Sequence, residues 1–160
     1  MSTFLRGGDL PLLDIARGKV RNTTIRNIFG LASNMTLGSF KACWENDADY
    51  VYLASAETLD VVSDSTSDTA VSVKLIGVDT DYVEVEEVVA LTGTTPVTTT
   101  NSFLRVNDLL TISGNAVGDV TVTGTVSTGT TVAKMIAGTG RNQASIYTVP
   151  AGCSFYLTRI

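Results

Sequence analysis

A chain of 160 residues with no histidine, only two cysteines and a net charge of −5 excludes several function classes at once. Without histidine the usual general base near neutral pH is missing, and Ser-His-Asp triads, Cys-His pairs and histidine-ligated metals are ruled out. The negative balance argues against nucleic acid as a partner, because neutralising phosphates takes a basic surface, and no apolar run reaches the roughly 18 residues of a membrane helix.

The 24 Thr, 14 Gly and 3 Pro make a composition of strands and turns, since β-branched residues suit a pleated surface and glycine supplies the unusual dihedrals of turns. At this length one domain can bury a substantial core without metals or disulfides. Cys43 and Cys153 are too few for a disulfide framework and are expected as buried small apolar residues.

Charge is segregated along the chain. Residues 1–44 carry six basic residues against two acidic, a net +4, and the remainder carries five against fourteen, a net −9. The expected organisation is an extended basic N-terminal arm over 1–46 and an acidic β-sandwich domain over 47–160. Within the arm, residues 9–17 allow at most a short helical turn stopped by Gly18, and residues 19–29 space Val20, Ile25 and Ile28 without a clean period. Long irregular stretches usually bind something, so Arg6, Arg17, Lys19, Arg21, Arg26, Phe29 and Trp44 are the candidate partner-binding residues. The arm either folds back on its own acidic body or lies on a neighbouring subunit. Trp44, the single tryptophan, with Tyr50 and Tyr52 nearby, reads as the anchor where arm meets body.

From Asp49 onward apolar and polar residues alternate. Tyr50–Leu53 and Leu59–Val62 read as strands, and the Asp64–Asp68 run as a polar turn. The clearest signal is residues 70–91: Val71, Val73 and Leu75 alternate with Ser72 and Lys74, residues 77–81 supply turn chemistry, and Val83, Val85, Val89 and Leu91 share one parity of a returning strand. Glu87 falls on that apolar parity, which predicts a bulge between Glu86 and Val88 or a place at a sheet edge or subunit contact. Further strands are expected at 97–100, 103–106, 109–113, 119–124, 133–137, 145–149 and 155–159, with 114–118 as a hairpin loop. Pro150 must stop its strand, Ala151-Gly152 turns the chain, and residues 155–160 pair back as the last strand. Nine to eleven short strands without crossover helices make an all-β, antiparallel sandwich or jelly-roll-like domain.

Three chemical readings are weighed against plainer ones. Glu84 and Glu86 lie on one strand face about 7 Å apart, a spacing that suits glycosidic acid/base work, yet no aromatic cleft accompanies them and a solvated strand face is the plainer account. Asp79 with Asp81, or Asp64 with Asp68, could hold a weak Ca²⁺, but aspartates in turns more often accept hydrogen bonds from their own backbone. Gly138-Thr139-Gly140-Arg141 lacks the Lys-Ser/Thr ending of a phosphate loop and reads as a turn. No enzyme, cofactor or metal is expected.

Three stretches in order carry a family resemblance. Gly77–Glu84 continuing through Glu87–Val97, then Phe103–Val106 with Asn115–Val122, and finally Asn142-Gln143 through Ile146–Gly152 to Tyr156–Thr158 resemble segments of small virion structural proteins of tailed bacteriophages, especially marine ones; Leu13–Gly18 resembles their opening. Cys153 departs from the pattern, as does the basic richness of residues 17–26. The resemblance implies a virion protein made in the bacterial host cytoplasm, most simply a capsid decoration or cement protein on the capsid exterior. Its implied partners are the major capsid protein and copies of itself in a homotrimer, with no nucleic acid and no membrane. A head fibre, a tail-associated protein or a carbohydrate-binding sandwich module for host attachment are the alternatives.

Overall fold

The computed structural model describes residues 11–32, 37–38, 40–46 and 48–157. They form one short helix, α1 (Pro11–Ala16), and seven strands: β1 (Leu59–Ser63), β2 (Ser72–Val78), β3 (Glu84–Ala90), β4 (Val97–Thr98), β5 (Arg105–Ser113), β6 (Val120–Gly124) and β7 (Thr131–Met135). All pairings are antiparallel, in one sheet ordered β4-β1-β6-β7 and another ordered β3-β2-β5. The protein is thus mainly β, with two antiparallel sheets and almost no helix.

The period-2 pattern decides which side chains go inside. Along β1 and β6 burial alternates residue by residue, so Leu59, Val61, Val120 and Val122 enter the same cluster as Val73, Leu75, Val89 and Leu109 of the other sheet. Both sheets therefore bury one face in a shared core, with Phe103 completely enclosed. Burying a side chain of this size contributes roughly 1.5–3 kcal/mol.

The pairings nest. β2 pairs with β3 while β1 pairs with β4 around them. In the second half β6 pairs with β7 while β5 is bridged to Arg141, just beyond β7. Two double hairpins result, each with its inner pair in one sheet and its outer pair in the other. They are joined by the β1–β6 and β2–β5 ladders.

The connection 114–118 therefore crosses between sheets, whereas the sequence suggests a hairpin loop, because β5 and β6 lie in different sheets. A buried carboxylate fixes this crossing. Asp68 accepts hydrogen bonds from the Ser63 hydroxyl (2.6 Å) and from the backbone amides of Val117 and Gly118 (both 3.0 Å). Burial would raise its pKa, but these three donors outweigh it and hold the carboxyl below its ordinary value. Gly118 leaves room for these bonds, since a Cβ would stand 2.2 Å from Asp64 Oδ1 and 2.7 Å from Ser63 Oγ and would push both side chains aside. Glu57 works similarly at the β6–β7 loop, accepting from the amides of Val126 and Ser127.

The hairpin read from residues 70–91 is present, with its turn at 79–83 and β2 running on through Gly77 and Val78. Gly77 stays in the strand because β5 approaches closely: an added Cβ would meet Arg105 O at 2.1 Å and Phe103 Cδ1 at 2.9 Å. The β2–β3 register is unbroken, so no bulge forms at Glu87. This residue sits on the edge strand instead, where its carboxylate accepts hydrogen bonds from the amides of Thr100 and Asn101 (both 2.8 Å). In this sheet the bulges fall in β5, leaving Asn107 and Ile112 unopposed, and the other sheet has one in β7 at Val132.

Other expectations are corrected. The separate strands at 103–106 and 109–113 merge into β5, and residues 50–53, 145–149 and 153–157 form no strand. Residues 158–160 lie outside the described residues. Pro150 does end in a turn, with Cys153 N donating to Pro150 O and Ala151 N to Tyr82 O, but no paired strand follows among the described residues. Cys153 is exposed and Cys43 half-buried, both as free thiols, not the buried pair expected.

Candidate functional site

The outer face of the β3-β2-β5 sheet is where a segment before the strands meets one after them. From the N-terminal side, residues 26–31 lie against it. From the C-terminal side, residues 139–148 do so, and a groove of about 250 Å³ remains between them. Its floor is Ile76, and its walls include Phe29, Asn107, Arg141, Gln143 and Tyr147.

Each segment is tied down mostly by side chains standing in for strand partners. The bulged Asn107 copies a backbone bridge: its Nδ2 donates to Thr148 O (2.8 Å) and its Oδ1 accepts from Thr148 N (2.7 Å). Asn142 Oδ1 accepts from Leu109 N, and Arg141 grips Asp108 through two hydrogen bonds of 2.9 and 2.7 Å, the bidentate arrangement that fixes a guanidinium in place. The arm contributes Leu31 N to Gln143 O (3.1 Å) and an Arg26–Glu84 ion pair (3.6 Å). Gly30 threads the tightest point, where a Cβ would lie 2.3 Å from Cys43 O and 2.7 Å from Ser145 N.

These pairings consume the groove's charged groups. Arg26 and Glu84 neutralise one another, as do Arg141 and Asp108, while the Asn107 and Asn142 side chains are occupied by main chain. What the arrangement does chemically is hold two flanking segments on a sheet face. The Glu84–Glu86 pair considered for acid/base work is likewise committed, Glu84 to Arg26 and Glu86 to Lys74. The turn aspartates bind backbone: Asp79 Oδ1 accepts from the amides of Asp81 and Val83, and Asp64 Oδ1 from Asp119 N. Among the described residues no group of three or more His, Cys, Asp or Glu side chains is placed to hold a metal, and no helix is long and apolar enough to cross a membrane.

Of the candidate residues named from sequence, the groove brings together Arg26 and Phe29, the latter 67% exposed. Arg17 and Arg21 are exposed, and Lys19 pairs with Asp14 at the end of α1 (3.4 Å). Arg6 lies outside the described residues. Trp44 is only 2% exposed: it stacks edge-on against Tyr50 (4.9 Å) and donates from Nε1 to Ala48 O. Tyr50 meets Tyr52 in turn (4.9 Å), and the Arg105 guanidinium covers the Tyr52 ring at 4.8 Å. Burial pushes the Tyr50 hydroxyl up to about 12.

Beside Trp44 sits an unusual group. Glu45 is 7% exposed and neither carboxylate oxygen has a hydrogen-bond partner. Burial raises its pKa, offset only in part by the nearby backbone amides of Gln143 and Ile136. Sequence reasoning missed Glu45, Asn107, Arg141 and Asn142. The one signal was an asparagine inside an otherwise β-forming run, Val106-Asn107-Asp108-Leu109, which marks a break in the ladder.

The apolar residues left in water concentrate on the same terminal segments. Leu37 and Phe40 are fully exposed, and Val20, Ile25, Leu31, Tyr156 and Leu157 are exposed as well. Compared with known proteins, the chain matches no family model, no curated protein and no solved structure.

Proposed function

We propose that this chain is a structural protein of a tailed-bacteriophage virion that binds the capsid exterior as a decoration protein and bridges capsomers. The observation that carries the reading is the placement of its apolar surface. Exposed large apolar residues lie along both terminal segments, whereas the groove between those segments has its charged groups already paired. Large apolar residues left exposed in number on the same segments suit contact with other macromolecules, and internally paired walls favour holding segments over turning over a small molecule. The resemblance of residues 77–84, 87–97, 103–106, 115–122, 142–143, 146–152 and 156–158 to phage virion proteins supplies the particle. A non-enzymatic role, in contact with the major capsid protein and with further copies of itself in a trimer, follows from the same reading. Trimers suit the local threefold points of capsid lattices, and several weak contacts there reinforce one another.

The finer architecture belongs to this proposal. The nested pairing of β2–β3 inside β1–β4, and of β6–β7 inside the β5 bridge to Arg141, supports a jelly-roll sandwich, which consists of two Greek keys closed face to face. Residues 1–46 form its arm, seated on its own body through Arg26, Leu31 and Cys43 and reaching to neighbours with the stretch before them.

A binding assay on purified particles tests the function. Particles assembled without the protein should rupture at lower temperature or lower external osmolarity and regain their robustness when it is added back. Equal robustness with and without it removes the cementing role. Copy number then separates the alternatives, since hundreds per particle place it on the capsid and a dozen or fewer on a fibre or tail. A carbohydrate-binding role draws on exposed Tyr52, Tyr82 and Tyr156 and would register on a glycan array.

A further inference from the structure

One edge of the β3-β2-β5 sheet ends in β3. Leu91 N donates to Val71 O and Asp79 N to Val83 O, so odd-numbered residues along β3 turn their main chain toward β2. In an antiparallel ladder the alternate residues then point the other way. Glu84, Glu86 and Val88 therefore present N–H and C=O groups outward. Among the described residues, only Asn101 Nδ2 reaches them, at 3.4 Å from Glu86 O.

An edge of this kind is a template for another strand unless something blocks it. The carboxylates of Glu84 and Glu86, both exposed, stand about 7 Å apart along the strand. Each already meets one cation of its own chain, Glu84 with Arg26 at 3.6 Å and Glu86 with Lys74 at 2.5 Å. As exposed carboxylates with two oxygens apiece they still repel a second copy of β3 and can accept a further basic row. The chain carries such a strand: Arg17, Lys19 and Arg21 share one parity, alternating with Gly18 and Val20. When extended, that stretch offers a row of cations at the carboxylate spacing, with Val20 on its other face. In the isolated chain it makes only local turns, Gly18 and Asn22 both adopt positive φ, and Arg17 and Arg21 have no ion pair among the described residues. Six residues of helix before it provide little resistance to straightening.

We infer that residues 17–21 of a second copy add as an extended strand along the outer edge of β3, with their basic row against Glu84 and Glu86. This rests on the proposal that the protein self-associates on the particle and names the surfaces that do it. Affinity comes from main-chain pairing, which is indifferent to sequence, and partner choice from the charge rows. The Arg26–Glu84 contact within one chain shows the same chemistry at the end of this edge.

The test uses the full-length protein, with mass measured by light scattering over a concentration series. The wild type should associate, and R17E/R21E and E84R/E86R should each weaken association at least about tenfold. An equimolar mixture of the two variants should associate again, because each arm then faces an edge of opposite charge. V88P, which removes an outward N–H that β2 does not use, should also be monomeric while melting like the wild type. Association unchanged in all three variants overturns the β3 edge as the docking surface. A wild type monomeric at every concentration overturns it too. Particle binding measured on the same samples judges the decoration role separately: binding by the wild type leaves that role intact, and no binding removes that role while the β3 edge stands or falls with the association data alone.

Discussion

The sheets and the terminal segments of this protein are built from similar residues and behave oppositely. In the sheets, Val, Leu and Thr alternate along strands that find ladder partners, and the apolar half disappears into the core. In the segments flanking them, residues such as Ile25, Phe29, Tyr156 and Leu157 keep their surface in water, and attachment falls to the single Leu110–Arg141 bridge, a few isolated main-chain bonds, Asn107, Asn142 and the Arg141–Asp108 and Arg26–Glu84 pairs. The difference lies in who supplies the partner. A strand is stable when both its face and its edges are matched. The chain matches them for β1–β7 and leaves the ends to contacts that surface polar groups make, each worth around 1 kcal/mol.

Four experiments sharpen this contrast, from the largest effect to the smallest. Phe103→Ala empties the centre of the shared core and should cost about 3–5 kcal/mol in denaturant unfolding; a loss under 1 kcal/mol would mean the two sheets do not depend on one core. Asp68→Ala strands the Val117 and Gly118 amides and the Ser63 hydroxyl and should cost about 3 kcal/mol. The wild type should lose this contribution in acid. The folded-state pKa of Asp68 is depressed, so its stabilisation is complete above the unfolded value near 4 and disappears as pH falls through the folded one. Parallel pH–stability curves for wild type and Asp68→Ala would contradict this.

Glu45→Gln should have a smaller effect of the opposite sign. The folded-state pKa of Glu45 is raised, so its favourable contribution is present below the unfolded value and lost as pH rises through the folded one. At neutral pH the buried, unpartnered carboxylate is a cost. The variant should melt higher than the wild type there and converge with it near pH 4. An identical melting difference at every pH would dispose of the idea. Gly30→Ala should leave the melting of the sheets nearly untouched while forcing the arm off Cys43 and Ser145. Hydrogen exchange at Leu31 and Ser145, which donate to Gln143 O and Cys43 O, should accelerate; unchanged protection there would mean the arm is not seated as described.

Alternation made the sheets legible. β1, β4 and β6 lie where period 2 places strands, and the hairpin within 70–91 forms as β2 and β3 with its turn at 79–83 in place of 77–81. Val73, Leu75, Val89 and Leu91 are buried as their parity requires, while Val83 of the same parity is exposed in the turn. The same signal misleads at Tyr50–Leu53, Ser145–Val149 and Phe155–Leu157, because alternation reports that a stretch suits a half-buried ladder and says nothing of whether a neighbouring strand exists. Glu87 shows the limit in miniature. Its parity is apolar, and only the approach of Thr100 and Asn101, some dozen residues on, explains the carboxylate. The groove was not legible either, since its walls come from residues more than a hundred positions apart, Phe29 and Tyr147 among them.

The carboxylate of Asp68 also bears on the order of folding. Each inner hairpin, β2–β3 and β6–β7, closes a short loop and can form in microseconds. Asp68 meets Val117 and Gly118 across about fifty residues, so its bonds wait until the two double hairpins have docked. The expected signature is a latch: Asp68→Ala should speed unfolding and leave the folding rate unchanged, and a folding rate that falls with stability would place these bonds in the barrier instead.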